Sequence, residues 1–211
     1  MSRRKTKSSE KKQENAEAFS AALKALQRGE VIVFPTETFY GLGADALSEN
    51  SVERVVSLKG RNPDNPIAVI IADQEMLPQI VSEVPPVARK LIGRFWPGPL
   101  TLVLTAKKGL PAALLNREGK IGVRVSSHPV ATQLSRELGR PLTATSANLS
   151  GKEPARTIQE VRSYFAGQIE IFLDGGTLRG KKGSTVVEVI HDQLRIMREG
   201  EISSKELEKW I

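Results

Sequence analysis

The sequence lacks several residue types on which enzyme chemistry often depends. It contains no cysteine and only two histidines, His128 and His191, among its 211 residues. Thiolate catalysis, disulfides, zinc sites built from cysteine and histidine-rich metal sites are therefore excluded. The absence of cysteine also agrees with a reducing compartment, so we expect a cytoplasmic protein.

Long apolar runs and aromatic residues are scarce as well. No apolar stretch approaches the roughly 20 residues that a membrane-spanning helix needs. The charged N-terminus is not followed by the apolar segment of a secretory signal, so we expect no membrane association. Aromatic residues make up 5% of the chain, which leaves few platforms for stacking single-stranded bases. The G-x-x-x-x-G-K-[ST] string of the P-loop is also missing from the sequence, so a Walker-type nucleotide site is excluded.

Positive charge is concentrated at the N-terminus. Residues 1–14 hold six Lys/Arg and two Asp/Glu, a local charge of +4 out of the formal +7. We interpret this segment as a disordered basic tail, with a tether for RNA or another polyanion as the alternative. Residues 15–211 are long enough for one hydrophobic core and show no linker composition, so a single domain is predicted there.

Hydrophobic periodicity predicts that helices and strands alternate along the chain, which defines an α/β protein. Closely spaced strands and a hairpin through His191, Asp192 and Gln193 favour a mixed sheet over a purely parallel one. Asn50 and Ser51 are predicted to cap the second helix. The predicted helices are 16–26, 52–58, 87–95, 130–138, one from 157 and one from 203, and the predicted strands are 31–34, 67–71, 100–104, 121–125, 142–145, 169–173, 186–190 and 194–197.

The first candidate site segment follows the first predicted strand. Residues 35–43, PTETFYGLG, offer three hydroxyls and two glycines to a small polar ligand. Loops at the carboxyl ends of strands build the sites of open α/β sheets. An ordinary strand-to-helix turn explains the same composition, and the residues alone leave both interpretations open.

The second candidate segment is Lys59-Gly60-Arg61, at the end of the second predicted helix. Gly60 suits a helix C-cap, and basic residues at that end are favoured by the helix dipole. Alternatively, the fork of Arg61 and the point charge of Lys59 bind phosphate. We expect both cations to be exposed in a cleft, so that their substitution lowers turnover more than stability.

The third candidate segment, residues 143–151, ends a short strand in small residues. Ser146 and Asn148 provide neutral donors for a phosphate or a carboxylate. Ser146 is not predicted to be a hydrolase nucleophile, because G-x-S-x-G is absent. Arg124 lies within an apolar strand and needs an anionic partner, which is either a protein carboxylate or a ligand. His128 is expected to cap or pack against its helix.

These segments occur in an order that resembles the YrdC family of threonylcarbamoyl-AMP synthases, from about Ala16 to Gly200. The motifs that carry the resemblance are FPTETFYGLGADA, LKGRNPDNPIAVII, FWPGPLTLVL, IGVRVSSHPV, PLTATSANLSG, STVVEV and IMREG. The resemblance implies a twisted mixed sheet flanked by helices around a deep, basic cleft. It also implies the short type of member that has a single catalytic domain.

The resemblance further implies a nucleotidyltransferase reaction. L-Threonine, bicarbonate and ATP would give threonylcarbamoyl-AMP and pyrophosphate, and transfer proteins would then place the threonylcarbamoyl group on an adenosine of tRNA. Mg²⁺ is expected to be held mainly through the triphosphate, with no metal site of the protein's own. Two alternatives remain open, namely a non-catalytic RNA-binding or ribosome-maturation protein on the same fold, and an enzyme that uses a different amine.

Site residues are carried over from the family by position. Threonine is expected to contact Thr38, Arg124 and Ser184, with Arg124 taking its carboxylate. The strand after residue 61 has Ile70 where some relatives have a histidine near the threonine, so selectivity for the amine stays open. ATP and its phosphates are expected to contact Lys59, Arg61, Asn65, Ser146, Asn148 and Arg198, of which Lys59, Arg61, Ser146 and Asn148 are the expected catalytic residues.

Overall fold

The computed structural model describes residues 2–62, 65–190 and 193–210, in which nine strands form two sheets and six α-helices pack around them. The strands are β1 (Ile32–Pro35), β2 (Tyr40–Gly43), β3 (Val69–Ile70), β4 (Leu100–Thr105), β5 (Lys120–Arg124), β6 (Leu142–Thr143), β7 (Thr145–Ser146), β8 (Thr185–Ile190) and β9 (Gln193–Arg198). The helices are α1 (Ser2–Gln27), α2 (Glu49–Lys59), α3 (Pro86–Phe95), α4 (Pro129–Leu138), α5 (Ile158–Phe165) and α6 (Ser204–Leu207), with 3-10 turns at Gln74–Gln79, Ala112–Leu114 and Glu208–Trp210.

The larger sheet has six strands in the order β6-β3-β5-β4-β8-β9. Two of its pairs, β3 with β5 and β4 with β8, are parallel, and the other three pairs are antiparallel. The smaller sheet has three antiparallel strands in the order β1-β2-β7. The prediction of a mixed α/β sheet is therefore confirmed.

The hydrophobic core consists of two clusters of buried side chains. One cluster packs the apolar faces of α2, α3 and α5 against both sheets, and the ring of Phe165 is fully buried in it. In the second cluster, Leu26 of α1 and Leu134 of α4 pack on Phe34 and Ile70. The two sheets are thus fixed relative to each other by helices on both sides, which gives the loops between the strands a stable frame.

Some predicted elements differ from the structure. The segment 35–43 is not a strand-to-helix turn, because Tyr40–Gly43 returns as strand β2 and pairs with β1. The predicted strand 169–173 is only a bridge at Phe172 beside Val33. The predicted strand 142–145 is divided between the two sheets as β6 and β7.

Helix ends follow local capping chemistry, with one correction. The N-cap of α2 is Ser48, whose hydroxyl accepts from the amide of Ser51, so the predicted cap was placed two or three residues too late. The helix predicted from 157 is α5, which a capping box of Thr157 and Glu160 opens. At the other end of α2, Gly60 has φ 57°, a left-handed conformation that favours glycine.

Helix α1 extends back to Ser2, so its backbone is helical across residues predicted to form a disordered tail. The division of the chain into residues 1–14 and a domain at 15–211 stays a prediction. His191 and Asp192, at the predicted turn between β8 and β9, lie outside the described residues. Among the helices of the described residues, none is long and apolar enough to cross a membrane.

Candidate active site

A cavity of about 660 Å³ is lined by residues of both sheets. The smaller sheet contributes Gly41 and Ser146, and the larger sheet contributes Thr101, Gly122 and Arg124. The walls of the cavity are therefore β-strands and the loops that leave them. Its size suits a nucleotide-sized ligand, within the range of about 300–1,000 Å³ that is usual for small-molecule sites.

The lining of this cavity is basic. Its carboxylates are Glu118 and Glu199, and its cations outnumber them. An excess of positive charge in a concave site attracts anionic ligands and disfavours cationic ones. The lining cations are Arg61, Arg117, Lys120, Arg124, Arg195 and Arg198.

The structure brings most of the predicted site residues together in this cavity. Lys59 and Asn148 do not belong to the lining and are buried, with 3% and 6% of their surface exposed. The sequence segments 35–43, 59–61 and 143–151, far apart in the chain, thus meet at one place. The predicted residues that line the cavity are Thr38, Arg61, Asn65, Arg124, Ser146, Ser184 and Arg198.

Lys59 contacts the protein backbone rather than the cavity. Its Nζ donates to the carbonyl oxygens of Ser146 at 2.6 Å and Asn148 at 2.7 Å. Burial, and next the neighbouring charge of Arg61, lower the pKa of Lys59 to about 8. The expectation that this cation is exposed in a cleft was wrong, because the ends of α2 and β7 are close enough for the ammonium to bridge them.

Arg61 braces the loop that follows α2. Its Nε donates to the carbonyl oxygen of Asn65 at 2.6 Å, and its two terminal nitrogens donate to the carbonyl of Pro66 at 2.9 Å and the hydroxyl of Thr145 at 3.1 Å. Burial, and next the charge of Arg198, lower the pKa of Arg61. The guanidinium is therefore held in one orientation at the cavity wall. One of the acceptors that orient it is the backbone carbonyl of Asn65.

Asn148 fixes the loop after β7 from within. Its Nδ2 donates to the carbonyl oxygens of Leu149 at 2.9 Å and Lys152 at 2.7 Å. The carboxamide oxygen Oδ1 is buried and has no hydrogen-bond partner in the part of the chain that the structure describes. Both donors of the carboxamide thus stabilise the loop that follows Ser146, while its acceptor takes no part in that loop.

Arg124 has a protein carboxylate as its partner. Its Nη1 forms an ion pair with Oε1 of Glu37, and the hydroxyl of Ser126 donates to Oε2 of the same carboxylate. Of the two partners that the sequence left open for Arg124, the structure supplies the protein one. The contact of Arg124 with a threonine carboxylate stays a prediction. Sequence reasoning missed Glu37, although it is the acidic residue of the PTETFYGLG segment.

Ser184 and Arg198 meet at the part of the cavity wall formed by β8 and β9. The hydroxyl of Ser184 lies 2.8 Å from that of Thr101, and Nη2 of Arg198 donates to the Ser184 carbonyl at 2.9 Å. Burial, and next the charge of Arg124, lower the pKa of Arg198. In the β8–β9 ladder Arg198 pairs with Val186, next to a register shift between Val186 and Val187.

Thr38 lies in a rigid turn between β1 and β2. Its hydroxyl is 3.0 Å from that of Thr36, which donates to the carbonyl of Phe39 at 2.7 Å. A Cβ on Gly180 would lie 2.2 Å from the carbonyl oxygen of Thr38, so only glycine permits this close packing. The turn that carries Thr38 is therefore held both from within and by the 174–184 segment.

Two further predicted residues lie away from the cavity lining. Ile70 is fully buried in the second core cluster. Of the predicted strand 67–71, Ala68 lines the cavity. Ile70 therefore does not line the cavity, and the selectivity for the amine stays open. His128 is the N-cap of α4, where its Nδ1 accepts from the amide of Val130 at 3.3 Å, which confirms the predicted cap.

Three comparisons relate this chain to known proteins. The model of the Sua5/YciO/YrdC family, described as "Telomere recombination", matches residues 24–200. A threonylcarbamoyl-AMP synthase of Yersinia enterocolitica is 42% identical over 169 residues, which cover 78% of this chain and 89% of the relative. A threonylcarbamoyl-AMP synthase of Pyrococcus abyssi is 40% identical over 186 residues, which cover 88% of this chain.

The P. abyssi relative is longer, and this chain spans 55% of its length. A crystal structure of P. abyssi Sua5 complexed with L-threonine superimposes with a TM-score of 0.88 at 39% identity, covering 92% of this chain and 57% of that one. Sequence and fold agree over nearly all of the segment that builds the cavity. The resemblance noted in the sequence is thereby confirmed, and the chain belongs to the Sua5/YciO/YrdC family.

Proposed function

We propose that this protein is an L-threonylcarbamoyladenylate synthase, which converts L-threonine, bicarbonate and ATP into threonylcarbamoyl-AMP and pyrophosphate. One observation carries the proposal. The residues expected at the nucleotide and those expected at the threonine, for example Arg61 and Arg124, line one continuous basic cavity. The names of the Yersinia and Pyrococcus relatives support the same reaction.

The chemistry of this reaction suits the side chains of the cavity. The amine of threonine and bicarbonate form a carbamate with loss of water, and a carbamate oxygen then attacks the α-phosphorus of ATP, with pyrophosphate as the leaving group. Both reactants are anions, so the protein has to offset their repulsion and align them. Positioning and electrostatic stabilisation provide most of the rate enhancement in such phosphoryl chemistry, and no strong general base is required.

Two groups of side chains have distinct tasks in this proposal, and they meet where Arg198 donates to Ser184. Arg61 and Arg198 provide planar donor groups for phosphate oxygens, and Ser146 provides a neutral hydroxyl beside them. Lys59 and Asn148 hold the backbone that presents Ser146, so they act on the nucleotide through that loop. This division of tasks explains why two of the expected catalytic residues are buried.

The threonine end combines one cation with hydroxyl groups. Arg124 is suited to the carboxylate of the amino acid, because a guanidinium binds a carboxylate with two parallel hydrogen bonds. Thr38 and Ser184 present hydroxyls that suit the amine and the side-chain hydroxyl.

Magnesium enters the proposal bound to ATP. The described ranges 2–62, 65–190 and 193–210 contain no group of three or more His, Cys, Asp and Glu side chains that could hold a metal ion. Mg²⁺ prefers octahedral oxygen ligands and usually keeps several of its waters. Phosphate oxygens and water are therefore its expected ligands, and the basic lining neutralises the charge that remains.

The product is a reactive mixed anhydride, which needs an acceptor. We propose that proteins which transfer threonylcarbamoyl groups to tRNA are the partners of this enzyme, and that the reaction takes place in the cytoplasm. The basic residues at 1–14 are a candidate contact with tRNA, because clustered cations bind phosphate backbones.

The decisive experiment measures pyrophosphate release from ATP by the purified protein with Mg²⁺. Parallel reactions contain L-threonine, L-serine or no amino acid, each with and without bicarbonate. Release that requires both bicarbonate and L-threonine is the expected result. A folded protein that releases no pyrophosphate with any amino acid, but binds RNA, would instead support the RNA-binding alternative.

A further inference from the structure

Glu37 joins two of the residues expected to bind threonine. It precedes Thr38 in the turn between β1 and β2, and its carboxylate pairs with Arg124 at the end of β5. We propose that Glu37 is a positioning residue, which fixes the guanidinium of Arg124 for the carboxylate of the amino-acid substrate. This inference rests on the proposed function and assigns a role within the same site.

The first support is the location of the ion pair. Arg124 belongs to the cavity lining, whereas Glu37 does not. Their side chains are 8% and 13% exposed, so both charges are largely removed from water. The carboxylate of Glu37 therefore holds Arg124 from a residue outside the cavity lining.

The second support is that both oxygens of the Glu37 carboxylate accept hydrogen bonds. One oxygen of Glu37 accepts from Arg124 and the other accepts from the hydroxyl of Ser126. That hydroxyl in turn accepts from the backbone amide of His128 at 3.1 Å, at the start of α4. Charged groups that are buried with such hydrogen bonds keep one orientation, which is the requirement for a preorganised site.

The third support is the capacity that remains on Arg124. The ion pair uses one terminal nitrogen, Nη1. A guanidinium carries five N–H donors, so Arg124 keeps donors for a second carboxylate at the cavity. Without Glu37, the buried cation would lose its partner and turn toward other acceptors, and the fork presented to the substrate would be lost.

The test compares the wild-type protein with Glu37→Gln, which keeps the size of the side chain and removes its charge. Steady-state kinetics are measured with L-threonine and with L-threoninol, which has the same amine and side chain but no carboxylate. We expect the KM for L-threonine to rise about tenfold in Glu37→Gln, while the KM for ATP changes little. The preference for L-threonine over L-threoninol, as a ratio of kcat/KM, should fall by a similar factor.

This preference ratio separates positioning from stability. A purely structural role of Glu37 would lower the thermal midpoint but leave the ratio of the folded enzyme unchanged, and that result would overturn the inference. Glu30→Gln is the matched control, because Glu30 pairs with Arg28 at the surface, where their side chains are 37% and 59% exposed. Its ratio should equal that of the wild type.

Ser126→Ala provides a second variant if Glu37→Gln does not fold. It removes one donor to the carboxylate and leaves the charge in place, so we expect the same loss of preference to a smaller extent. An unchanged ratio in this variant would overturn the inference. Wild-type protein that shows no threonine-dependent pyrophosphate release would overturn the proposed function and this inference together, whereas an active wild type with unchanged variants overturns this inference alone.

Discussion

The Nζ of Lys59 lies 2.6 Å from the carbonyl oxygen of Ser146, although the two residues are 87 positions apart in the chain. The ammonium also donates to the carbonyl of Asn148. The contact therefore involves backbone oxygens and leaves the hydroxyl of Ser146 to the cavity. The two motifs that identify the site are joined at this point before any ligand binds.

Replacement of Lys59 should lower both stability and activity. In Lys59→Met, two buried carbonyl groups lose their donor, which costs about 1–3 kcal/mol of unfolding free energy. The backbone at the end of β7, which includes Ser146, loses its support, so turnover should also fall. Chemical denaturation and pyrophosphate release measure the two effects. The control variant Lys90→Met, at an exposed position of α3, should change neither stability nor turnover. Equal stability of Lys59→Met and wild type would contradict the prediction.

The lowered pKa of Lys59 predicts a specific pH dependence of stability. Its pKa is about 8 in the folded protein and returns toward the usual 10.5 on unfolding. Between these two values the unfolded chain binds more protons, so the stability linked to Lys59 rises with pH. The unfolding free energy of the wild type, minus that of Lys59→Met, should increase from about pH 7 to about pH 9.5. A constant difference across this range would disprove the shift.

Arg61→Lys should weaken ATP use without affecting threonine use. The lysine keeps the positive charge but cannot reproduce the planar fork that contacts Asn65, Pro66 and Thr145. We expect the KM for ATP to rise about tenfold, while the KM for L-threonine stays within about twofold. Arg89→Lys, on the exposed side of α3, is the matched control; an unchanged KM for ATP in Arg61→Lys would remove Arg61 from the nucleotide site.

Thr157→Ala should affect stability alone. The hydroxyl of Thr157 accepts from the amide of Glu160 at 3.2 Å and caps α5, outside the cavity lining. Loss of such a cap lowers the unfolding free energy by about 1 kcal/mol. Thermal unfolding and steady-state kinetics should show a lower midpoint with normal KM values. Thr177→Ala, in an exposed loop, should leave the midpoint where it is, and a matching loss there would show that the cap is not the cause.

Removal of divalent metal should stop turnover but leave the protein intact. Since magnesium is expected on the triphosphate, protein treated with a chelator should keep its thermal midpoint and its affinity for L-threonine. Activity should return when Mg²⁺ is added with ATP. Calorimetry before and after chelation measures both quantities. A lower midpoint after chelation would indicate a structural metal site and contradict the proposal.

Much of the fold could be predicted because its helices are encoded locally. The helix α4 shows this, since its apolar positions repeat at helical spacing and Gly139, with φ 71°, ends it. Strand β2 was missed because Gly41 and Gly43 have low β-propensity. A Cβ on Gly43 would lie 2.8 Å from the ring of Phe34, so glycine is required there by a packing contact that the local pattern does not reveal.

The sequence predicted which residues form the candidate site, but not which of them are buried. The motif order indicated which side chains belong together, and Arg61 and Arg124 do line the same cavity. The burial of Lys59 depends on backbone carbonyls in a distant segment, which no local property of its own helix can indicate. The carboxylate of Glu37 was missed for a related reason, because its partner Arg124 lies on a strand of the other sheet.

The division of residues 142–146 between the two sheets has a consequence for how the chain tolerates change in length. Thr143 pairs with Val69 in the larger sheet, while Thr145 pairs with Leu42 in the smaller one, and only Ala144 separates them. One added residue at this point would turn the side chains of β7, Thr145 and Ser146, to the opposite face of the smaller sheet. An insertion or deletion at Ala144 should therefore disrupt the cavity. One in the exposed turn at 108–109 should leave the cavity unchanged.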